Sequence, residues 1–326
     1  MGLSPTYVRV DMVPPVLPVA HETDLVTANG RLRPEVRARF RRIPSYRNAW
    51  SVIWLLAQTG AVLTATVVWA PWSWPITFVL MGRAHAQFAS LMHEAAHRLL
   101  FTNRTANDLV GRWILGFPSF TPTDGYRRSH MAHHREEFGP EEPDIALYRG
   151  YPITPDSFRR KLVRDATGRT GLRLMSGLFR AARSNTPAVR RAAWSILGTQ
   201  LVLATVAALV GHWWLYPCFW MLPHLTVWRV INRLRSVAEH GGMRRSKDRR
   251  ETTHSVSQHW PARLMLVPYH IGWHLTHHVD SGVPFRNLPR YHEALLAAGY
   301  VDDTIEHPNY PSLWRALRTP APALAT

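Results

Sequence analysis

The chain has 326 residues, enough for one large domain or two ordinary ones, and it carries a formal net charge of +17. Its single cysteine, Cys218, excludes an intrachain disulfide and a cysteine-based zinc finger. Lys161 and Lys247 are the only lysines, so arginine supplies nearly all of the positive charge. Such a charge suits nucleic acid, anionic lipid or an acidic protein partner, and composition alone does not decide among them.

The first 48 residues form a predicted N-terminal arm. It starts with a Pro-rich stretch and includes an arginine-rich segment, RLRPEVRARFRR at residues 31–42. No positive segment followed by an apolar core opens the chain, so we expect no cleavable signal peptide.

Four apolar runs predict transmembrane helices. The first, residues 49–70, has no charged side chain and would form about 33 Å of helix, enough to cross a bilayer. The others lie at residues 75–92, 192–210 and 213–231, and two short uncharged links containing tryptophan join the four runs into two hairpins. For 75–92 and 213–231 the alternative is a core helix of a soluble protein, since ionisable residues interrupt both.

The distribution of arginine predicts the orientation. Neither tight link contains Lys or Arg, whereas the N-terminal arm and the exit from 213–231 are arginine-rich. The positive-inside rule then places both termini and the segments 93–191 and 232–326 in the cytoplasm. We therefore expect an all-α fold: one integral-membrane domain over residues 49–326, with four transmembrane helices and a cytoplasmic helical cap. The arginine skew indicates a GC-rich, bacterial genome, and hence the inner (plasma) membrane. Membrane topology explains the charge, so no nucleic-acid partner is expected.

Eight of the 18 histidines fall in three compact groups, HEAAH at 93–97, HMAHH at 130–134 and HLTHH at 274–278. On a helix, spacings of three and four residues place side chains on one face, as metal coordination requires. A structural role is the weaker reading, because packed unliganded imidazoles would repel one another on protonation. The predicted ligands are His93, His97, His130, His133, His134, His274, His277 and His278.

Other side chains could complete this site. His240 follows the fourth run on the same side of the membrane and is predicted as a ninth ligand. His270 lies one turn before His274 and is either a further ligand or a hydrogen-bonding neighbour of one. Three carboxylates are candidates to orient the imidazoles, with loop capping as the alternative for the second of them: Glu94, Asp144 and Glu239.

The number of histidines bears on the kind of metal. Zinc accepts four ligands, and imidazole also suits iron and copper, so two ions with open positions are the simplest count. Two rival functions use fewer of these residues. HEAAH is also a zinc-metalloprotease motif with Glu94 as general base, but that reading leaves the other two groups unexplained. A haem electron carrier would need paired axial histidines rather than clusters.

Four polar residues are candidates for contact with the substrate. Arg83 and Gln87 share a helix face with His97, and Arg83 would lie about 21 Å along the helix, inside the membrane. The alternative for Arg83 is an interhelical hydrogen bond to the third or fourth predicted span. Arg127 and Arg128 precede the second histidine group and could bind a phosphate or carboxylate head group; otherwise they contact lipid or solvent.

Four stretches together resemble the membrane fatty-acid desaturase and hydroxylase superfamily, in the family's order over about residues 75–300. They are LMHEAAHRLLFTNRTANDLVGRWILGFP, YRRSHMAHHREEFGPEEPD, RSVAEHGG and PYHIGWHLTHHVDSGVPFRNLPRYHEAL. The resemblance implies two non-haem irons, O2 as co-substrate, and hydrogen abstraction from an unactivated C–H bond of a fatty-acyl or similar lipophilic substrate. Desaturation is the expected outcome, with hydroxylation or ketolation as the alternative, since substrate placement decides between them.

The resemblance also implies a separate electron donor. The HPGG stretch of a fused cytochrome b5 domain is absent, so a ferredoxin or similar protein with its reductase is expected, and a basic cytoplasmic face would suit it. Two departures from the family's sequence pattern leave the acyl substrate less precisely defined. Residues 141–144 read EEPD where the family often has Asp-Pro-Asp, and Thr276 stands where lipid desaturases frequently carry an acidic residue.

Overall fold

A computed structural model of the chain describes residues 12–140 and 142–318. Parts of the predicted terminal segments, and Glu141, lie outside the described residues. Within them the fold is almost entirely helical, which confirms the predicted helical class. The α-helices α1 to α15 are, in chain order, Pro34–Phe40, Ser45–Val68, Trp74–Ala96, Arg104–Leu109, Thr123–Arg135, Ile145–Tyr148, Pro155–Ala166, Arg169–Ala181, Pro187–Leu209, Leu222–Leu225, Val227–His240, Trp260–Met265, His274–Val279, Leu288–Ala297 and Tyr310–Leu317.

Short irregular elements connect these helices. Two π-helical turns lie at Val110–Gly116 and Tyr216–Met221, and two 3-10 turns at Arg249–Glu251 and Phe285–Asn287. The strands β1 (Ser255–Val256) and β2 (Glu306–His307) pair in parallel, with Ser255 opposite Glu306. This small pairing ties the segment after α11 to the segment before α15.

Two helical segments are long and apolar enough to cross a membrane: Pro34–Val68, which contains α1 and α2, and α9. Only 22% of the most apolar window is buried in each. Large apolar side chains such as Trp54 on α2 and Leu201 on α9 are therefore exposed. The core helix of a soluble protein would bury these side chains, so this pattern favours contact with lipid.

The predicted spans at 75–92 and 213–231 are not among the helices of the described residues that meet this standard. Helix α3 does run unbroken through the first of them, but most of its C-terminal half is buried. The second is divided into a π-helical turn, α10 and α11, with a break at Thr226 (φ −121°, ψ −82°). The arrangement of four transmembrane helices therefore stays a prediction.

Helix α3 lies at the centre of the fold, between α2, α5 and α11. Its backbone approaches α11 closely at Gly82, where an added Cβ would lie 2.3 Å from Cγ1 of Val227. Because α3 ends at the first histidine pair and α11 ends at His240, this close packing fixes two parts of the predicted site relative to each other.

Replacing Gly82 by leucine is expected to destabilise the protein by about 1–3 kcal/mol, because the added side chain overlaps Val227. The measurement is the thermal unfolding midpoint of the purified protein in detergent. Gly60 on α2 is the matched control, since no atom of the described residues, apart from its own helix backbone and chain neighbours, lies within 4 Å of its added Cβ. Gly60→Leu should leave the midpoint nearly unchanged, and an equal loss in both variants would disprove the packing argument.

Arginines fasten the C-terminal layer to the start of α2. The Nε atom of Arg286 donates to Oδ1 of Asn48 at 2.8 Å, and Nη2 donates to Oγ of Ser51 at 2.5 Å. Arg41 pairs with the buried carboxylate of Asp280 at 2.7 Å, two residues beyond the third histidine group. These contacts hold α13 against the N-terminal helices.

Candidate metal centre

The structure brings the nine predicted histidine ligands together as two adjacent groups. In each group, one potential ligand atom from every residue lies within 4.8 Å of all the others. The five-histidine group consists of His93, His97, His130, His134 and His277. The four-histidine group consists of His133, His240, His274 and His278.

Four elements supply these side chains. The end of α3 provides two imidazoles to the five-histidine group, and the end of α11 provides His240 to the four-histidine group. Helices α5 and α13 each serve both groups. On α5, His130 and His134 lie one turn apart in the five-histidine group, while His133 turns toward the other.

Arg127 fixes the end of α3 against α5. Its Nε donates to the carbonyl of Ala96 at 2.8 Å and its Nη2 donates to the carbonyl of Ala95 at 2.9 Å. The same Nη2 pairs with Asp108 at 2.5 Å. An arginine that satisfies the last carbonyls of a helix stabilises that terminus. In this structure, Arg127 therefore acts within the protein, and its predicted contact with a head group remains a prediction.

Hydrogen bonds set the orientation of three imidazoles in the four-histidine group. Nδ1 of His133 lies 2.9 Å from Oε1 of Glu142, Nδ1 of His240 lies 2.9 Å from the carbonyl of Thr252, and Nδ1 of His278 contacts Glu137. Oxygen atoms of carboxylates and carbonyls accept, so each Nδ1 carries the proton. The Nε2 lone pairs are then left to bind a cation.

The Nε2 atoms of this group face one another. Nε2 of His274 lies 3.1 Å from Nε2 of His240 and 3.0 Å from Nε2 of His278. His274 has one proton at most to share at that nitrogen, so at least one pair of lone pairs is left opposed. A metal ion between the imidazoles removes this conflict, and the donor set fits one.

The five-histidine group also fits a metal ion, because several of its ring nitrogens have no hydrogen-bond partner among the described residues. Both ring nitrogens of His93, Nε2 of His97 and Nδ1 of His277 are buried without a hydrogen bond among the described residues. Buried polar atoms are rarely left unsatisfied in proteins. Nε2 of His134 also lies 3.0 Å from Nε2 of His130 and 3.1 Å from Nε2 of His277. A bound cation would satisfy several of these atoms at once.

The electrostatic surroundings keep most of these imidazoles neutral, which is the form that binds metal. Burial and the neighbouring imidazoles hold the pKa values of His130, His134 and His277 well below the ordinary value. For His133, burial opposes the charge, but the hydrogen-bonded carboxylate of Glu142 outweighs it and raises the pKa.

Two buried carboxylates at this centre were missed by the sequence prediction. Glu142 contacts His133, and Glu137 contacts His278 while also pairing with Nη1 of Arg249 at 2.5 Å. Glu137 lies beside one imidazole of each group. The sequence signal that could have identified Glu137 was its position three residues after His134, a spacing close to one helical turn.

The three carboxylates predicted to orient imidazoles all lie near the groups. Oε1 of Glu239 is 3.6 Å from Nδ1 of His274 and is held by Arg235 at 2.6 Å. Oε1 of Glu94 is 3.9 Å from Nδ1 of His93. Asp144 lies beside His133, but Glu142 makes the hydrogen bond. Whether these three orient ligands stays a prediction.

His270 lies outside both groups. Its backbone has a left-handed conformation (φ 59°), and its ring packs against Trp273 with centroids 5.3 Å apart. The left-handed turn takes His270 out of the helical register that the sequence prediction assumed, since α13 begins only at His274.

Arg83 and Gln87 form a polar network between α3, α2 and the segment before α13. Nη1 of Arg83 donates to Oε1 of Gln58 and to Oε1 of Gln87, both at 3.1 Å, and Nε donates to the carbonyl of Leu264 at 2.6 Å. Nε2 of Gln87 lies 3.5 Å from the hydroxyl of Tyr269. The interhelical bond considered for Arg83 therefore exists, but it links α3 to α2, the first predicted span, rather than to the third or fourth span.

The fold and this donor set define a class of protein: helical chains with a buried, histidine-rich centre suited to metal. A family model described as fatty acid desaturase matches residues 68–310. The chain therefore belongs to the fatty acid desaturase family. Because the curated relatives in this family are desaturases, the chain is an oxidoreductase. This membership argues against the zinc-protease and haem-carrier alternatives.

Three curated relatives illustrate the similarity. The dihydrorhizobitoxine desaturase of Bradyrhizobium elkanii is 26% identical over 244 residues, covering 70% of this chain and 69% of the relative. The chloroplastic omega-6 fatty acid desaturase of Spinacia oleracea is 24% identical over 83% of this chain, which spans 63% of that protein. The sn-1 acyl-lipid omega-3 desaturase (ferredoxin) of Nostoc sp. (strain 36) is 22% identical, covering 74% of this chain and 73% of the relative.

Proposed function

We propose that the chain is an O2-dependent membrane oxidase with two non-haem irons, one in each histidine group. It abstracts hydrogen from an unactivated C–H bond of a fatty-acyl or similar lipophilic substrate and desaturates it. The observation that carries this proposal is the division of nine imidazoles, eight of them buried, into adjacent groups of five and four. Hydroxylation or ketolation by the same centre is the second candidate, because all three reactions begin with the same abstraction.

The protein's own residues hold and shield this centre. The five imidazoles of one group and the four of the other would bind the two irons, and Glu137 and Glu142 would keep Nδ1 of their histidines protonated. Bound iron would supply the activation of O2 and the abstraction of hydrogen. All but one of the nine side chains are buried, so bulk water is excluded from the groups.

The names of the relatives support desaturation but not one substrate. One name specifies dihydrorhizobitoxine, and the other two specify fatty-acid or acyl-lipid substrates. The substrate is therefore proposed only as a class, a lipophilic chain that is short or carries a polar group. The polar network around Arg83 and Gln87 supports the second part of that description.

The experiment that tests the function is product analysis by mass spectrometry. A bacterial host expresses the chain with a ferredoxin and its reductase, and its lipids and acyl-derived metabolites are compared with those of a host expressing a variant that lacks His93 and His97. Loss of two hydrogen atoms from a metabolite supports desaturation, and gain of one oxygen atom supports hydroxylation. An unchanged profile from an iron-loaded protein would contradict both.

Arg83→Leu is expected to change the substrate preference or lower the activity by about tenfold, because the substitution removes a half-buried cation and its hydrogen bonds to Gln58 and Gln87. The measurement is the ratio of products from substrates with and without a polar group. Gln58→Leu is the matched control, since it removes the link to α2 but keeps the cation. If Arg83→Leu folds and keeps the activity and preference, the polar-substrate hypothesis is wrong.

The proposed electron donor is a ferredoxin or similar acidic protein. The name of the Nostoc relative includes the word ferredoxin, which supports this proposal. In this chain, exposed cations lie near the centre on the segment after α11 and at the end of α5, among them Arg135, Arg245 and Lys247. Arg249 links this surface to the centre, since Nη2 donates to the carbonyl of His134 at 2.8 Å. A basic surface of this kind attracts an acidic partner.

The proposed location is the bacterial inner membrane, with the histidine groups and both termini in the cytoplasm. Two apolar helical segments and an apolar exposed surface support membrane insertion. The orientation rests on the arginine-rich arm and on the arginine-free links between the predicted spans. Within the domain proposed for residues 49–326, α5 and α13 would then form part of the cytoplasmic cap.

A further inference from the structure

A cavity of about 700 Å³ lies between the start of α5, helix α8, the first half of α9 and the α10–α11 junction. We call it the cationic cavity. Its wall is largely apolar, with Phe117, Leu174 and Ile196 among the lining residues. No residue of either histidine group lines it.

The cationic cavity lies on the far side of α5 from the histidines. Asp124, Gly125 and Arg128 face the cavity. At about 100° per residue, their mean direction is roughly 170° around the helix from that of the three α5 histidines. The cavity is therefore separate from the proposed reaction centre.

The charge in this cavity is unbalanced. Arg112 is paired with Asp124, with Nε 2.8 Å from Oδ2. The other lining arginines, Arg128, Arg191 and Arg229, have no carboxylate within ion-pair distance among the described residues. Three cations thus line one cavity without acidic partners among the described residues. Arg128 and Arg191 are exposed and Arg229 is partly buried, and an anion bound among them would lower their mutual repulsion.

A buried histidine adds a hydrogen-bond donor to this wall. His224 lines the cavity and is only 6% exposed. Nη2 of Arg229 donates to its Nε2 at 2.8 Å, so the remaining ring proton lies on Nδ1. That N–H has no acceptor within hydrogen-bond distance among the described residues, because the polar atom recorded at that distance belongs to the same guanidinium, a donor. The cavity thus offers both charge and a donor to an anionic group.

An apolar groove of about 750 Å³ adjoins the cationic cavity, and Trp113 lines both. Helix α9 continues from one to the other, with Ile196 in the cavity and residues 199–210 in the groove. From residue 196 to 210 the helix rises about 21 Å, more than half of a bilayer's apolar core of about 30 Å. The groove is therefore long enough for one acyl chain of a single leaflet.

We propose that the cavity and the groove together bind one anionic phospholipid from the leaflet beside the histidine groups. The phosphate lies among Arg128, Arg191 and Arg229, and an acyl chain lies in the groove along α9. Neither part alone specifies this ligand: a soluble anion needs no groove, and a neutral lipid needs no unpaired cations. This lipid site is independent of the proposed oxidase reaction.

The test is lipid binding by the purified full-length protein. After delipidation in detergent, the protein is titrated with phosphatidylglycerol or with phosphatidylcholine, and bound lipid is counted by native mass spectrometry. Wild type should bind one phosphatidylglycerol more tightly than phosphatidylcholine. Arg128→Gln with Arg191→Gln should weaken phosphatidylglycerol binding by about tenfold or more, since two charged contacts to phosphate are lost.

The control variant carries Arg169→Gln and Arg173→Gln. These two exposed arginines on α8 do not line the cavity, and the variant has the same net charge. It should bind phosphatidylglycerol like the wild type. Equal weakening of binding in both variants would show only nonspecific attraction to anionic lipid and would overturn the proposal.

A second variant fills the cavity without changing any charge. Gly177 lines the wall, and the nearest atom to its added Cβ is Nη2 of Arg180 at 3.7 Å, so Gly177→Leu is accommodated. It should reduce phosphatidylglycerol binding while the unfolding midpoint stays near that of the wild type. Oleate is the competing ligand: if it displaces phosphatidylglycerol at equal concentration, the site is one for free fatty acid, and the phospholipid assignment is wrong.

Discussion

Replacing His240 by alanine is expected to remove about half of the bound iron, because the four-histidine group loses one of its ligands while the five-histidine group keeps all of its own. Activity should fall by more than about a hundredfold, since the proposed reaction needs both ions. Iron is measured per chain by elemental analysis after purification, and activity by product formation with the ferredoxin system.

His270→Ala is the matched control for this result. His270 was the other histidine considered as a ligand, and its ring lies outside both groups. The control should keep the full iron content. If it loses as much iron as His240→Ala, then the division of ligands into groups of five and four is wrong.

Glu142→Gln is expected to weaken iron binding in the four-histidine group by about 10–100-fold, because the neutral amide no longer supports the protonated Nδ1 of His133. At limiting iron, the variant should hold less metal than the wild type, and excess ferrous iron should restore the content. A variant that is merely unfolded would not recover its iron in this way.

Glu136→Gln is the control for the charge change. Glu136 lies on the same segment, and its carboxylate pairs with the exposed Arg245 at 2.6 Å and with no histidine among the described residues. Iron affinity should stay that of the wild type in this variant. Unchanged affinity in Glu142→Gln as well would refute the role proposed for the hydrogen bond to His133.

The sequence was informative where spacing alone determines geometry. Helical spacing in HEAAH, HMAHH and HLTHH predicted that each set would point in one direction, and the structure gathers all of them with His240. It could not predict the division into groups. His133 and His134 are adjacent, yet their side chains enter different groups, and this depends on how α5 packs against α13.

The carboxylates were harder to predict for a related reason. The segment REEFGPEEPD contains five acidic residues, and nothing in its composition distinguishes the buried Glu137 and Glu142 from exposed ones. Burial there follows from the turn that folds the segment back over the end of α5. The break at Thr226 was similarly hidden, because hydropathy reports how apolar a run is and not whether its backbone stays helical.

Helices α5 and α13 each supply histidines to both groups, so the positions of the two sets of ligands are coupled. Each helix is rigid over a single turn, so any rotation of α5 that moves His134 also moves His133. The two proposed sites therefore cannot change their ligand positions independently when either shared helix moves. Damage to α5 or α13 should lower the metal content of both sites together, whereas loss of His240 on α11 lowers that of one.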